Sequence, residues 1–80
     1  MKTLTVLYFA SLRDAAGVPE EHVRSDAADL RQLYAQLQAR HGFSMPADRL
    51  RVAVDDAFAD WETPLRNGSR IALIPPVSGG

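Results

Sequence analysis

Apolar and polar residues alternate or recur along this chain in ways that predict a series of strands and one main helix. Residues 3–10 are rich in Val, Thr, Tyr and Phe, which favour a β-strand. In an extended strand, Leu4 and Val6 would face one side, and Leu7 and Phe9 the other. Since both faces carry apolar residues, we expect both sides of this strand to be covered.

The remaining strands are predicted from short apolar segments bounded by turn residues. Residues 11–19 form a connection in which Leu12–Ala16 would make a turn or two of helix. The segments with the composition of strands are residues 20–25, 50–54, Phe58–Trp61 and Arg70–Ile74. Turns are predicted at Asp55-Asp56 and at Asn67-Gly68, and Pro75-Pro76 should end the last strand because proline lacks the N–H group that a ladder needs.

The clearest element is an amphipathic helix over residues 27–41. Its apolar residues have the i, i+3, i+4, i+7 spacing of one helix face: Leu30, Leu33, Tyr34 and Leu37. We expect Asp26 to cap the N-terminus and Asp29 to place an anion in the first turn. His41 would lie in the last turn, and Gly42 would take the left-handed position that follows it.

This order of elements predicts an α+β protein with the β-grasp (ubiquitin-like) fold, a mixed sheet of four to five strands covered on one face by one main helix. The first and last strands would lie side by side and run parallel. We expect a single domain over residues 1–76 and a flexible tail over residues 77–80. One helix covers only one face, so Leu7, Phe9 and Ile74 would remain on an open apolar face that a partner covers.

Composition narrows the possible classes of function. The chain has 80 residues, a net charge of -1 and no cysteine. A balanced charge argues against binding to nucleic acid or to an anionic membrane, since both rely on uncompensated cations. Without cysteine there are no disulfides, thiol nucleophiles or cysteine zinc sites, which suits a cytoplasmic protein. The apolar N-terminal segment is too short for a membrane span and lacks a cleavage site for a signal peptide.

Residues that often carry chemistry are better explained here as structural. His22 and His41 have no neighbour at the spacing of metal ligands, so we expect no metal site. Trp61 is more simply a core residue than a partner contact. Asp55-Asp56 with Asp60 is most simply a solvated turn. The sequence also has no glycine-rich phosphate loop and no serine elbow, so we expect neither a bound cofactor nor catalysis by this chain alone.

The segment "PPVSGG" at residues 75–80 is the strongest candidate for chemistry. Such a segment is usually only a frayed terminus. Here it follows the last predicted strand directly, and Val77, Ser78, Gly79 and Gly80 would extend about 13 Å at roughly 3.3 Å per residue. Two glycines form the narrowest possible peptide. An ionised α-carboxylate can attack the α-phosphate of a nucleotide to form an acyl-adenylate. In a chain without cysteine, this terminus is also the one sensible place to carry sulfur.

Three stretches resemble the ubiquitin-like sulfur carriers, most closely the family of molybdopterin synthase small subunits, the MoaD family. They are "VLYFASLRDAAG" at residues 6–17, the helix that opens at Asp26, and "LRNGSRIALIPPVSGG" at residues 65–80. The resemblance implies that Gly80 is adenylated by a ubiquitin-activating-like adenylyltransferase, which uses ATP, and is then converted to a thiocarboxylate.

The same resemblance implies the partners. Residues 77–80 would enter the active site of the large subunit of molybdopterin synthase, within a heterotetramer, and donate sulfur to a pterin precursor. The catalytic side chains would belong to that subunit. Phe9 and Ile74 would contact it, together with Pro75 and Pro76, which would also stiffen the base of the tail.

Two other functions begin with the same acyl-adenylate and remain open from the sequence. One is a protein modifier whose activated glycine is joined to lysines of other proteins. The other is a sulfur carrier for thiamine thiazole synthesis or tRNA thiolation. The length of the chain and its "LRDAAG" and "PPVSGG" segments favour the molybdopterin route.

Overall fold

The computed structural model describes residues 1–76, and the predicted tail, residues 77–80, lies outside the described residues. The described part contains five strands and two α-helices. In chain order these are β1 (Lys2–Tyr8), α1 (Ala10–Ala16), β2 (Glu20–Ser25), α2 (Leu30–His41), β3 (Arg51–Val54), β4 (Ala57–Ala59) and β5 (Arg70–Ile74), with a short 3-10 helix at Ala47–Arg49 before β3.

All five strands of the described part form one mixed sheet in the order β2-β1-β5-β3-β4. β1 and β5 are parallel neighbours at the centre, with Val6 opposite Ile71. The other pairs, β1 with β2, β3 with β5 and β3 with β4, are antiparallel. The parallel pair needs a long crossover connection, which α2 supplies on one face of the sheet. The predicted β-grasp fold is therefore confirmed.

The core lies between the sheet and α2. The predicted apolar face of the helix is buried, and alternate residues of the central strands meet it: Leu4, Val6 and Tyr8 from β1, Ile71 and Leu73 from β5, and Leu30, Leu33, Tyr34 and Leu37 from α2. Burial of each such side chain contributes about 1.5–3 kcal/mol relative to exposure. The alternation predicted for Leu4 and Val6 is confirmed, and Tyr8 continues it.

The predicted start of the main helix is wrong by one turn. The helix begins at Leu30 and not at residue 27, and Asp29 is its N-cap in place of Asp26. The Asp29 carboxylate accepts a hydrogen bond from the backbone N–H of Gln32 at 2.9 Å. Both aspartates are suitable capping residues, so local sequence alone does not distinguish them.

Contacts from a distant segment decide where the helix begins. The N–H of Leu30 donates to the carbonyl of Thr63 at 3.2 Å, and the N–H of Arg31 donates to the carbonyl of Trp61 at 2.9 Å. The first N–H groups of a helix have no partner within the helix, and these carbonyls supply one. The loop before β5 therefore fixes the N-terminus of α2.

The first strand also ends earlier than predicted. β1 stops at Tyr8, and Phe9 is the N-cap residue of α1, which has about two turns as predicted but begins two residues earlier, at Ala10. Ala10 reverses the chain with a left-handed φ of 50°, which is unusual for a residue with a side chain. Leu12 anchors α1 in the core, and Gly17 ends it at a φ of 82°.

The predicted turn at Asp55-Asp56 is confirmed, but the strand after it is shifted. Both aspartates have positive φ, 50° and 72°, as a two-residue hairpin turn requires. β4 spans Ala57–Ala59 and not Phe58–Trp61.

The chain leaves the sheet before Trp61 because the ring of Trp61 lies against the helix, with its centroid 5.6 Å from that of Tyr34. Trp61 is thus partly buried against the core, as the simpler interpretation of it predicts.

Within residues 1–76, no helix reaches the length and apolar character that crossing a membrane requires.

Candidate functional site

The tail leaves the domain at the end of β5, and this end of the sheet is defined by the register of the central strands. Tyr8 lies opposite Leu73, so the residues that follow them, Phe9 and Ile74, lie at the same end of the sheet. Phe9 is 45% exposed, and Ile74 is half-buried. The tail therefore starts between exposed apolar surface and the edge of the core.

The two prolines at the base of the tail differ in exposure. Pro75 is buried within the chain, whereas Pro76 is exposed. Pro75 therefore offers little surface to a partner, and the expectation that it contacts one stays a prediction. Its burial fixes the point at which the chain leaves β5. Phe9, Ile74 and Pro76 remain accessible, and Val77, Ser78, Gly79 and Gly80 lie outside the described residues.

A row of apolar side chains crosses the face of the sheet that α2 does not cover. Ala72 of β5 lies opposite Leu7 on one side and Ala53 on the other, and Ala53 lies opposite Phe58 of β4. We call Leu7, Ala72, Ala53 and Phe58 the apolar row. Phe58, at 69% exposed, is its most accessible member.

The apolar row forms the floor of a shallow groove of about 250 Å³. The groove also includes Ile74, so it runs up to the residue from which the tail departs. A solvent-facing side of an antiparallel sheet usually carries polar residues. A contiguous apolar strip in this position indicates a surface that another protein covers. The expectation of an open apolar face is confirmed for Leu7 and Ile74, whereas Phe9 is exposed at the start of α1 and does not line the groove. Phe58 is a member that the sequence did not indicate.

Charged side chains border the groove. Arg51 lies opposite Ile74 and places its guanidinium 5.5 Å from the centroid of the Phe58 ring. Arg70 and Asp56 line the groove on other sides. An apolar centre with a charged rim is the usual anatomy of a protein interface, in which the rim charges set orientation and association rate.

A polar cluster lies on the opposite face, beneath the C-terminus of α2. Glu21 of β2 accepts hydrogen bonds from the Tyr8 hydroxyl at 2.7 Å and from His41 Nε2 at 2.9 Å, and it forms an ion pair with Arg40 at 3.4 Å. Burial alone would raise the pKa of Glu21, but the hydrogen bonds from Tyr8 and His41 outweigh it, and the pKa is held below its ordinary value. Burial and the bond to Glu21 raise the pKa of Tyr8 well above its usual range.

This cluster has a structural role. It joins β1, β2 and the end of α2, and the Tyr8 and His41 rings lie in edge contact with centroids 5.5 Å apart. The expected placement of His41 in the last turn of the helix is confirmed. The sequence did not reveal the cluster because Tyr8, Glu21 and His41 are separated along the chain and meet only through strand pairing and helix packing.

The remaining candidate residues have local partners. His22 is exposed and lies 3.2 Å from the Thr5 hydroxyl oxygen, and a carboxylate oxygen of Glu20 lies 3.7 Å from its other ring nitrogen. Asp55 is not simply solvated, since its side chain accepts a hydrogen bond from the N–H of Arg70 at 3.0 Å. Throughout residues 1–76, His, Asp and Glu side chains do not assemble into a group of three that could hold a metal ion.

Comparisons with known proteins agree with this arrangement. The model of the ThiS family matches residues 6–80. The molybdopterin synthase sulfur carrier subunit of Haemophilus influenzae is 32% identical over an alignment of 80 positions, which covers 96% of this chain and 99% of that protein.

Two solved structures extend the comparison. One is the complex of subunits 1 and 2 of the molybdopterin-converting factor from Helicobacter pylori. The matched chain is 30% identical with a TM-score of 0.68, and the match covers 98% of this chain and 99% of that one. The other is SAMP1 from Haloferax volcanii, 26% identical with a TM-score of 0.82, covering 98% of this chain and 99% of that one.

Proposed function

The chain belongs to the ThiS family, and we propose that it is the sulfur carrier subunit of a molybdopterin synthase. The observation that carries this proposal is the end-to-end match to a sulfur carrier subunit, which spans 99% of that protein and 96% of this chain. The residues that would perform the chemistry, Gly79 and Gly80, fall within the part matched by the family model.

In the proposed cycle, Gly80 carries the sulfur. Its carboxylate attacks the α-phosphorus of ATP in a partner adenylyltransferase, pyrophosphate leaves, and an acyl-adenylate forms. A sulfur nucleophile then displaces AMP and leaves a thiocarboxylate at Gly80. The thiocarboxylate sulfur then bonds to a carbon of the pterin precursor in the large subunit, and an oxygen substituent on that carbon leaves with its electron pair. Water attacks the Gly80 acyl carbon of the resulting thioester, the bond from that carbon to sulfur breaks with the sulfur keeping the electron pair, and the Gly80 carboxylate is restored. This chain binds no cofactor in the cycle, and ATP is consumed by the activating enzyme.

The geometry of the domain supports delivery of the tail into a partner. Pro75 is buried and Pro76 is exposed, so the chain is fixed up to Pro75 and emerges at a defined point. A proline pair lowers the conformational entropy that is lost when the following residues enter a narrow site. Glycines at the end present no Cβ to the walls of that site.

The apolar row and Ile74 are the proposed contact surface for the large subunit. They begin at the root of the tail and run across the open face of the sheet. A subunit that receives the tail would therefore cover the groove at the same time. The Helicobacter pylori relative is found in a complex of two subunits, which supports an assembly of this kind. We further propose that two carrier chains and two large subunits form a heterotetramer.

A protein modifier is the second candidate function. It is favoured by the similarity to SAMP1, described as an archaeal modifier protein in its solved structures. Both functions begin with an activated glycine and differ in what attacks it, a sulfur nucleophile or a lysine amine. The intact mass of the chain purified from cells distinguishes them: exchange of one oxygen for sulfur at the terminus indicates a carrier, and adducts on lysines of other proteins indicate a modifier.

Deletion of Gly80 tests the proposed role of the tail. The shortened chain should lose adenylation and sulfur transfer, measured as ATP–pyrophosphate exchange and thiocarboxylate formation, because its terminus no longer reaches the nucleotide. Its thermal stability should be nearly unchanged, since the core is made by residues before the tail.

Two further variants identify the cause of such a loss. Gly79→Phe should block transfer by its width, whereas Ser78→Ala keeps the length and narrow terminus and should remain active. Full sulfur transfer by the shortened chain would contradict the proposal.

A further inference from the structure

The side chains of this protein include several cations but only one amine. Of its nine cationic residues, Lys2 is the one lysine and the other eight are arginines. A guanidinium stays protonated in proteins, whereas a lysine amine becomes a nucleophile once it loses its proton. The proposed function creates an activated carbonyl at Gly80, so Lys2 is the one side chain of this protein that could attack it as an amine.

The Lys2 amine is held against the domain. It lies at the start of β1, is half-buried, and donates a hydrogen bond from Nζ to the carbonyl of Ala27 at 3.2 Å. Ala27 is itself buried at 1% exposure, so its carbonyl is a fixed acceptor. The amine has to leave this carbonyl before it can approach an electrophilic carbon on another molecule. A hydrogen bond from a charged donor is stronger than one between neutral groups, so breaking it slows the reaction of the amine.

Lys2 also lies far from the tail of its own molecule. β1 and β5 are parallel, and Thr5 lies opposite Arg70, so Lys2 and Ile74 stand at opposite ends of the sheet. Their separation along the strands is about seven residues, or roughly 23 Å at about 3.3 Å per residue. The six residues beyond Ile74 span roughly 20 Å when fully extended, and they depart from the opposite end. Gly80 could meet Lys2 of its own molecule only with the tail doubled back along the sheet at nearly full extension, so reaction with a different molecule is favoured.

We propose that Lys2 is the one side-chain acceptor at which a second activated copy can be joined to this chain, and that the Ala27 hydrogen bond keeps this site weak. The chain is thereby a donor to other molecules and a poor acceptor of its own kind. In the joining step, the Nζ lone pair forms a bond to the Gly80 carbonyl carbon of the second copy. The bond from that carbon to the leaving group breaks, the leaving group takes the electron pair, and the amine proton passes to water.

Arg24 offers a matched position for the test. It lies on β2 directly opposite Thr3, at the same end of the sheet as Lys2, and it is exposed. Successive residues of a strand point to opposite faces, so Arg24 shares the open face with Thr3, whereas Lys2 shares the α2 face with the buried Leu4. Arg24→Lys would therefore place an amine at the same end of the sheet but on the other face, away from the Ala27 carbonyl.

The experiment uses the full chain with Gly80 activated chemically as a mercaptoethanesulfonate thioester, so that its outcome does not depend on an adenylating enzyme. Four forms are incubated at equal concentration: wild type, K2R, R24K and K2R/R24K. Intact mass detects joined copies, and peptide mapping counts the links at side chains. The inference rests on the proposed function for its biological meaning. Failure of the wild-type chain to be adenylated, or full sulfur transfer by the chain shortened at Gly80, would contradict that function, whereas the linking experiment tests the role of Lys2 alone.

The inference predicts that wild type forms side-chain links at Lys2 only, and only between copies. K2R should form none, and K2R/R24K should form about fivefold more than wild type, the factor that corresponds to a hydrogen bond of about 1 kcal/mol. Side-chain links in K2R, an internally joined monomer, or equal linking in wild type and K2R/R24K would overturn the inference.

Discussion

The side-chain oxygen of Asn67 accepts a hydrogen bond from the backbone N–H of Thr3 at 2.7 Å, across the junction between the two central strands. Gly68 completes the contact by donating its N–H to the Thr3 carbonyl at 2.7 Å. The predicted turn at Asn67-Gly68 is therefore confirmed, and it does not join two strands that are neighbours in the sheet. The turn aligns the start of β5 with the start of β1. The resulting register of the two strands determines where Ile74 lies and where the tail begins.

Asn67→Ala should destabilise the fold by about 0.5–1.5 kcal/mol, because the Thr3 N–H loses its partner. Asn67→Asp is the matched control, since it keeps an oxygen in the same position and should lose less than half as much. Urea unfolding measures both. Equal losses in the two variants would show that the contact with Thr3 is not the cause.

Glu21 should make the stability of the fold depend on acid. Its pKa in the folded protein lies below the ordinary value of 4.5. The stabilisation is therefore fully present above pH 4.5 and is lost as the pH falls through the folded pKa. Glu21→Gln should cost about 1 kcal/mol at pH 7, and the difference from wild type should narrow as the pH falls below 4.5.

Glu62 is the control for this experiment because it forms an exposed ion pair with Arg31 at 2.9 Å. Glu62→Gln should change the free energy of unfolding by less than about 0.5 kcal/mol at either pH. Unfolding in urea at several pH values gives both comparisons. A Glu21→Gln difference that stays constant down to pH 3 would contradict the assigned role of the carboxylate.

Ile74→Asp should weaken binding to the large subunit by at least about tenfold, the scale on which central apolar contacts contribute to interfaces. Thr3→Asp is the matched control, since it places the same charge on an exposed position near the start of β1, at the end of the sheet away from Ile74. Titration calorimetry measures the affinity, and thermal unfolding shows that each variant is folded. If Ile74→Asp unfolds, Phe58→Ser tests the same groove from its most exposed side chain. Full affinity in a folded Ile74→Asp or Phe58→Ser variant would place the interface elsewhere.

Local periodicity predicted most of this fold because the deciding interactions are repeated along each element. The apolar face of α2 and the alternation of Leu4 and Val6 both follow from spacing alone. The start of α2 does not, since Asp26 and Asp29 are equally good caps and the choice depends on carbonyls more than thirty residues away.

The candidate site was predictable to a similar degree. Ile74 and Leu7 follow from strand alternation, but Phe58 was missed because its place in the groove depends on its pairing with Ala53 in the β3–β4 hairpin. The burial of Pro75 depends on how the domain closes around the end of β5. The acid–histidine cluster at Glu21 is assembled from three separate elements, and no local pattern marks it.

The most direct test of the proposed function is sulfur transfer from a defined thiocarboxylate. The chain is prepared with a thiocarboxylate at Gly80 and mixed with the pterin precursor, with and without the large subunit. The account predicts no product from the chain alone, dithiolene product when the large subunit is added, and return of the chain to the mass of the ordinary carboxylate. Product formation by the thiocarboxylated chain alone, at the rate of the complex, would contradict its role as a donor that lacks catalytic groups.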